Sequence, residues 1–171
     1  MDFGGSGSAH TFVACAITED WHLIALRSER IDAHQIDTEQ LTERFLTFGK
    51  LILDEYGWID AAYCDSAEQT IINSFRKNAS FPVANARKCE IRDRIRSTDI
   101  MMALHILSIV GEDCGTLICA LSTCVWDKGK PEAWVRLDNG TSDIDTLDAF
   151  EYSWERLWKR LIREDEVPAP N

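Results

Sequence analysis

The sequence predicts a mixed α/β protein in which a central β-sheet is flanked by helices. Two alternating apolar segments near the start, residues 10–17 and 21–31, are separated by the short turn TED and are typical of a β-hairpin. Beyond the hairpin, segments of helical periodicity alternate with short apolar segments, as expected when helices pack on a sheet. A chain of 171 residues is about one domain and is long enough to enclose a core.

The elements after the hairpin follow from periodicity and from capping residues. Apolar residues at 41, 45, 48 and 52 predict a helix over 38–56, with Thr38 or Asp37 as its cap. The next segment, WIDAAYCD, predicts a short strand that ends at Asp65, followed by a helix over 66–78 with Ser66 as its cap. Further along, we predict extended segments at 81–86 and 105–110, helices at 88–104 and 112–127, and a loop at 130–140.

The last predicted helix, SDIDTLDAFEYSWERLW, is unusually acidic where it begins. Ser142 or Asp143 can cap it, and acids in the first turn suit the positive end of a helix. Asp148 lies in the second turn, where capping no longer helps, and Asp145 is one turn away from it. Such carboxylates repel each other unless a cation or protonation relieves them. From this segment alone, a solvated acidic helix start and a metal site both stay open. Its apolar residues recur at helical spacing and predict a face in the core: Leu147, Phe150, Trp154, Leu157, Trp158 and Leu161.

The overall charge limits how the protein can bind a polyanion such as nucleic acid. With 29 acids against 18 bases, the formal net charge is -11, which argues against non-specific binding of nucleic acid by the whole surface. DNA binding would require bound divalent ions that neutralise several acids, or another domain or subunit that holds the DNA.

Composition also predicts a compartment. The sequence has no apolar run of the ~18 residues that a membrane span needs, and no signal-peptide pattern at its start. The six cysteines show no zinc-binding spacing and are predicted to be reduced core residues. We therefore expect a soluble intracellular protein.

Acidic residues at three separate places are candidates for one site. Asp2 precedes a glycine-rich turn, Asp65 ends a predicted strand, and Asp145 and Asp148 lie on the last helix. In α/β sheets, ligand sites collect at the carboxyl ends of strands. Each acid also has a simpler interpretation, as a frayed terminal residue, a helix-entry residue or a solvated acid. The glycines do not form a G-x-x-x-x-G-K-[ST] phosphate loop, so ATP hydrolysis is not expected.

Four motifs in order carry a resemblance to a known family. DFGGSGSAHTF, YCDSAE, ANARKCEIRDRIRS and DIDTLDAFEYSW together resemble the C-terminal nuclease domain of terminase large subunits, the DNA-packaging enzymes of tailed phages and prophages. The resemblance extends from Asp2 to about Trp158. It implies an RNase H-like fold with a five-stranded type of mixed sheet, and a metal-dependent endonuclease that cuts concatemeric double-stranded DNA.

The resemblance also implies site residues. By position, Asp2, Asp65 and Asp148 correspond to the family's three catalytic, metal-binding aspartates, with Asp2 bridging two ions and each of the others holding one. Asp145 stands where the family often has histidine, and is expected as an auxiliary ligand. Hard Mg²⁺ or Mn²⁺ prefers carboxylate oxygens, and two such ions about 3.5–4 Å apart can activate water and stabilise a leaving oxygen.

The resemblance further implies an organisation and partners. We expect a nuclease domain over 1–163 and a flexible tail over 164–171, with the terminase ATPase domain absent from this chain. The implied partners are double-stranded DNA, the ATPase domain, the small terminase subunit and the portal, in the cytoplasm of an infected or lysogenic bacterial host, with no membrane.

The densest basic cluster in the sequence lies in residues 87–96. Contact with DNA phosphates is one interpretation, and pairing with neighbouring acids on a solvated helix is the other. Lys88 matches a basic residue common at this place in the family. The candidates for DNA contact are Arg87, Lys88, Arg92 and Arg96, and Arg94 belongs to the same cluster.

Two other functions remain open at this stage. One is a different RNase H-like nuclease, such as a Holliday-junction resolvase, although the weak basic character and the motif order favour the terminase. The other is a catalytically weak docking module, whose acidic surface contacts the portal or another packaging partner.

Overall fold

The structure is a computed structural model that describes residues 1–4, 9–129, 136–137 and 142–162. Most of the glycine-rich turn after Asp2, most of the predicted 130–140 loop and the predicted 164–171 tail lie outside these ranges.

The strands form two small sheets. β1 (Ala9–Ile17) and β2 (Leu23–Asp32) are antiparallel, which confirms the predicted hairpin. β5 (Leu107–Ile109) runs parallel to β2 on the other side. β3 (Ala62–Cys64) and β4 (Val83–Asn85) form a separate parallel pair. The mixture of parallel and antiparallel pairing agrees with the predicted fold class.

The N-terminal segment joins the two sheets. Asp2 and Thr11 of β1 exchange backbone hydrogen bonds of 3.1 and 3.0 Å. On the other side, the Met1 carbonyl accepts a 3.1 Å bond from the Asp65 amide, and the Met1 ammonium donates a 2.8 Å bond to the Tyr63 carbonyl. Strands thus follow one another in the order β5, β2, β1, N-terminal segment, β3 and β4.

Helices connect and cover these strands. In α1, the Asp37 carboxylate accepts a bond from the Gln40 amide, and the Gln40 side chain accepts one from the Asp37 amide, so the predicted cap is confirmed as a capping box. The described helices are α1 (Thr38–Tyr56), α2 (Gln69–Asn78), α3 (Ile91–Ala103), α4 (Gly115–Thr123), α5 (Ile144–Trp154) and α6 (Trp158–Leu161).

Neighbouring residues of a strand point to opposite faces of the sheet, so one strand can contribute to two core clusters. Both faces are covered in this way. Phe12 of β1 belongs to one core cluster with Phe45 and Phe75, whose rings stack with centroids 4.0 Å apart. Val13 belongs to the other cluster, which contains residues of α4, α5 and α6. The acids of α5 are therefore brought against one face of the sheet.

Several predicted element boundaries are wrong. Ser66 does not cap α2, whose N-cap is Glu68 without a side-chain cap bond. Residues 88–90 are not helical, and Lys88 has a positive φ of 56°. The helix predicted over 112–127 is shorter, because α4 spans Gly115–Thr123, and the last helix is interrupted between α5 and α6. At residues 87–89 a distant side chain, Glu155, binds the backbone amides in place of helical bonds.

Two further expectations can be compared with the structure. All six cysteines are free thiols, but Cys119 is exposed and is not the core residue that was predicted. No helix among the described residues is both long and apolar enough to cross a membrane.

Packing against α1 makes Gly49 sensitive to substitution. A Cβ atom at Gly49 would lie 2.5 Å from Cε1 of Phe81, whereas Gly115, at the start of α4, has open space around its Cβ position. We expect Gly49→Ala to destabilise the protein by about 1 kcal/mol, because overpacking of ~1–3 kcal/mol exceeds the ~1 kcal/mol gain in helix propensity. Urea unfolding measures this. Gly115→Ala is the control and should be neutral or stabilising, and equal stabilisation by both changes would contradict the packing argument.

Candidate metal centre

Two of the predicted aspartates meet where the N-terminal segment pairs with β3. Asp2 is in the strand-like segment between β1 and β3, and Asp65 follows the last residue of β3. Their carboxyl groups lie close enough for each to affect the pKa of the other. Residues 63 positions apart in the sequence are thus neighbours at one end of the joined sheet.

Asp2 is the most electrostatically strained of these acids. It is 7% exposed, and burial, followed by the charges of Asp148 and Asp65, raises its pKa to about 8. Its Oδ1 is buried and has no hydrogen-bond partner within the described ranges. A buried acceptor oxygen without a donor is unfavourable, so this position is suited to a cation or a proton.

Asp65 is stabilised as a carboxylate. Burial opposes its ionisation, but the ammonium of Lys88, 2.6 Å from Oδ1, and the Ala67 amide, 2.8 Å from Oδ1, outweigh burial and hold the pKa of Asp65 below its usual value.

Asp148 is held by two arginines that come from different segments. Its Oδ1 accepts bonds of 2.9 Å from Arg94 of α3 and 3.0 Å from Arg136. Both guanidinium groups also pair with the buried carboxylate of Glu151, one turn further along α5. Two cations and two anions thus form a compact buried network, in which removal of one partner would leave an uncompensated charge.

Tyr152 lies among the same carboxylates. It is buried, and burial together with the charges of Asp148 and Asp2 raises the pKa of its phenol. The guanidinium of Arg94 lies 5.2 Å from the centre of its ring. Tyr152 therefore remains a neutral phenol, which separates the acids from the core without adding charge.

Asp145 connects α5 to the sheet. Its Oδ2 accepts a 2.8 Å bond from the Ala9 amide, and its carbonyl accepts a 2.8 Å bond from the Thr11 hydroxyl. Burial and the neighbouring acids raise the pKa of Asp145. Asp143 is the helix cap, as one of the two predicted alternatives, and accepts a bond from the Thr146 amide.

The predicted basic cluster divides into two parts. Arg87, Lys88, Arg92 and Arg96 are exposed, and Lys88 reaches Asp65. Arg94 is buried in the network with Asp148 and Glu151, so it is not part of a solvated surface.

The carboxylates of Asp2, Asp65 and Asp148 are suitable ligands for a divalent cation, although they do not form a complete coordination site. In the described parts of the chain, no three His, Cys, Asp or Glu side chains form a metal-binding group. One oxygen of Asp65 and one of Asp148 are instead engaged by cationic side chains. The unpartnered Asp2 Oδ1 and the mutual repulsion of the three aspartates are the features that a hard cation would relieve.

Four contributors to this arrangement were not identified from the sequence: Arg136, Glu151, Tyr152 and Glu155. A signal for two of them was present, because Asp148, Glu151 and Glu155 recur at spacings of three and four residues beside the apolar face of α5. Acids on a core-facing stripe require buried partners. Arg136 lay in a segment predicted only as a loop, where no periodicity indicates a contact.

The mixed sheet with helices on both faces and carboxylates at one end is RNase H-like. More particularly, it is the fold of the nuclease domains of phage large terminases. The nuclease domain of g2p, the large terminase of bacteriophage SPP1, solved with bound Mn, is 17% identical with a TM-score of 0.65, and the match covers 91% of this chain and 82% of that one. The large terminase of a thermophilic bacteriophage is 14% identical with a TM-score of 0.62, and the match covers 92% of this chain and 42% of that one.

The likeness to terminase nuclease domains is found in the structure and not in comparisons of the sequence. No protein-family model matches the chain, and no curated protein matches it significantly. The resemblance inferred from the four motifs is confirmed for the fold.

The raised pKa of Asp2 predicts how stability depends on pH without metal. Between its usual pKa of 3.8 and about 8, the folded state keeps a proton that the unfolded state releases. The proton on Asp2 therefore adds to the free energy of unfolding. This stabilisation is complete below about pH 4 and is lost as the pH rises to about 8, at up to ~1.4 kcal/mol per pH unit. With a chelator present, we expect thermal unfolding midpoints to fall between about pH 6 and pH 8.5 more steeply in the wild type than in Asp2→Asn.

The matched control is Asp60→Asn, which changes an exposed aspartate. It should keep the wild-type slope. Asp65 does not interfere, because its lowered pKa affects stability only below about pH 4. Parallel curves for the wild type and Asp2→Asn would contradict the proton assigned to Asp2.

Proposed function

We propose that this chain is the divalent-metal-dependent endonuclease domain of a viral DNA-packaging terminase, which cleaves double-stranded DNA. The observation that carries the proposal is the convergence of Asp2, Asp65 and Asp148, with a buried unpartnered oxygen on Asp2, on the fold of terminase nuclease domains. Acids brought together from distant segments repel one another, and this repulsion costs stability unless a cation or a proton compensates it.

The proposed catalytic residues are Asp2, Asp65 and Asp148, with Asp145 as an auxiliary. Asp2 is the aspartate on which the charges of both others act, and its buried Oδ1 has no partner among the described residues, which suits it to contact two Mg²⁺ or Mn²⁺ ions. Bound at these oxygens, the ions would supply an activated water and neutralise charge at the scissile phosphate. Asp145 already binds the Ala9 amide through Oδ2, so only its other oxygen is left for such a role.

DNA must approach a protein of net charge -11 through a limited surface. The exposed basic residues of the 87–96 segment include Lys88, whose ammonium contacts Asp65. Phosphate contacts by Arg87, Lys88, Arg92 and Arg96 would place the duplex beside the aspartates. This proximity favours the DNA-contact interpretation of the basic cluster over a purely solvated one.

The wider setting rests on the resemblance. The chain spans 42% of the large terminase of the thermophilic phage, and the activities of a whole terminase are proposals for it. They comprise cleavage of concatemers, work with an ATPase domain and a small subunit, docking to the portal, and action in the cytoplasm of a phage-infected or lysogenic host.

A docking module is the second candidate. The observation that favours it is the pairing of Asp148 with Arg94 and Arg136, which already compensates one of the three aspartates without a metal. A module of this kind would use the acidic surface to bind a packaging partner and would not cleave DNA.

Cleavage of supercoiled plasmid with Mn²⁺ tests the proposal. We expect the wild type to nick or linearise the plasmid, chelation to stop it, and Asp65→Ala to lower the rate by roughly 100-fold or more, because a carboxylate that holds an ion is lost. Asp60→Ala is the matched control, since it removes an exposed aspartate five residues before Asp65 and should keep the wild-type rate.

Two outcomes would contradict the assignment. Retained cleavage in Asp65→Ala would remove Asp65 from the site. A folded wild type that binds no Mn²⁺ by calorimetry and leaves the plasmid intact would favour the docking module.

A further inference from the structure

The segment that carries Lys88 has an unusual backbone. The Ala86 amide donates a 2.7 Å bond to the Cys64 carbonyl, which extends the pairing of β3 and β4 by one residue. The chain then turns at Lys88, whose φ of 56° is left-handed, before α3 begins at Ile91. A lysine disfavours this conformation, because its Cβ approaches the backbone closely, so other contacts must maintain it.

Three of those contacts come from one buried carboxylate. Glu155, in the turn after α5, is 0% exposed. Its Oε1 accepts bonds from the Arg87 and Lys88 amides, and its Oε2 accepts a 3.0 Å bond from the Cys89 amide. Successive amides around a left-handed residue form a concave anion-binding site, and here the protein fills it with its own glutamate.

The segment borders open space on one side. A cavity of about 430 Å³ lies beside it, lined in part by Arg87, Lys88 and Glu155. Besides the bonds to Glu155, the Cys89 carbonyl accepts a 3.1 Å bond from Arg94 Nε, and Lys88 pairs with Asp65. Glu155 supplies the bonds to the three successive amides that surround the left-handed residue.

The turn after α5 also holds the strand before this segment. Arg156 donates a 2.9 Å bond to the Asn85 carbonyl of β4, and its guanidinium lies 5.0 Å from the ring centre of Tyr63 in β3. One turn thus anchors both strands of the small sheet and the segment that follows them. Helix α5, which precedes this turn, carries Asp148. The helix and its turn thus supply one aspartate and hold the segment that carries Lys88, the partner of Asp65.

We propose that Glu155 is a positioning residue of the nuclease site, which acts by fixing the backbone of residues 87–89 so that the Lys88 ammonium reaches Asp65. The ammonium lies 2.6 Å from Asp65 Oδ1, and Asp65 contacts Asp2. The Glu155 carboxylate binds the backbone amides of residues 87–89, so its effect on the aspartates passes through Lys88. This inference rests on the proposed nuclease function for its consequence on the rate.

Chemical labelling tests the positioning without requiring activity. A paired ammonium is a poor nucleophile towards acetic anhydride. Glu155→Gln places an amide N–H₂ group where one carboxylate oxygen accepted bonds, so the segment is released. We then expect Lys88 to be acetylated several-fold faster than in the wild type, as measured by mass spectrometry. Lys77 on α2 is the internal reference and should be unchanged in the same sample. Glu39→Gln, at an exposed position of α1, is the matched control and should leave Lys88 labelling at the wild-type level.

A double-mutant cycle tests the consequence for cleavage. Glu155→Gln and Lys88→Met should each lower the plasmid-cleavage rate by roughly 10–100-fold, the usual effect of losing a residue that orients a metal ligand. Because Glu155 acts through Lys88, the double variant should be no slower than Lys88→Met alone. A glutamate that only stabilises the fold would instead give losses that multiply.

The outcomes separate this inference from the proposed function. Unchanged Lys88 labelling in Glu155→Gln, or multiplying losses in the cycle, would overturn the role of Glu155. If the wild type does not cleave DNA, the nuclease proposal fails, and the labelling result still decides whether Glu155 positions Lys88. If Glu155→Gln does not unfold cooperatively, Glu155→Asp replaces it, since its shorter carboxylate cannot reach all of the amides, and the same rise in labelling is expected.

Discussion

The arrangement of the whole site depends on the backbone hydrogen bonds of the first residues. Asp2 pairs with Thr11 on one side, and Met1 pairs with Tyr63 and Asp65 on the other. Without these bonds the β1–β2–β5 sheet and the β3–β4 pair have no strand between them. The same bonds bring Asp2 and Asp65 side by side. Fold and site thus share one constraint, because the segment that completes the sheet is also the segment that carries the central carboxylate.

Once these acids are gathered, the protein relieves their repulsion in four different ways. Asp2 keeps a proton, Asp65 takes the ammonium of Lys88, and Asp148 shares two guanidinium groups with Glu151. Glu155 uses backbone amides, which provide dipoles and not charges. The acidic start of the last helix is therefore not explained by a metal alone.

Local patterns predicted most elements correctly and failed where tertiary contacts decide. The hairpin and the capped α1 follow from alternation and from Asp37, both of which are local signals. Residues 88–90 have a helical pattern, but the carboxylate of Glu155 binds the amides of residues 87–89, and the helix begins only at Ile91. The aspartates could be proposed because four motifs occur in order. The burial of Arg94 could not, since its partners on α5 lie more than fifty residues away.

The low identity to the terminase nuclease domains, 17% and 14%, is compatible with a shared site if few positions are constrained. The geometry requires carboxylates at the end of two neighbouring strands and on one helix that crosses them. It does not specify which side chains compensate those carboxylates. Arginines, a lysine and backbone amides perform that task here, and any combination with equal charge and reach satisfies the same physics. Compensating residues are therefore free to differ between chains of this fold, and properties such as the response to pH can differ with them.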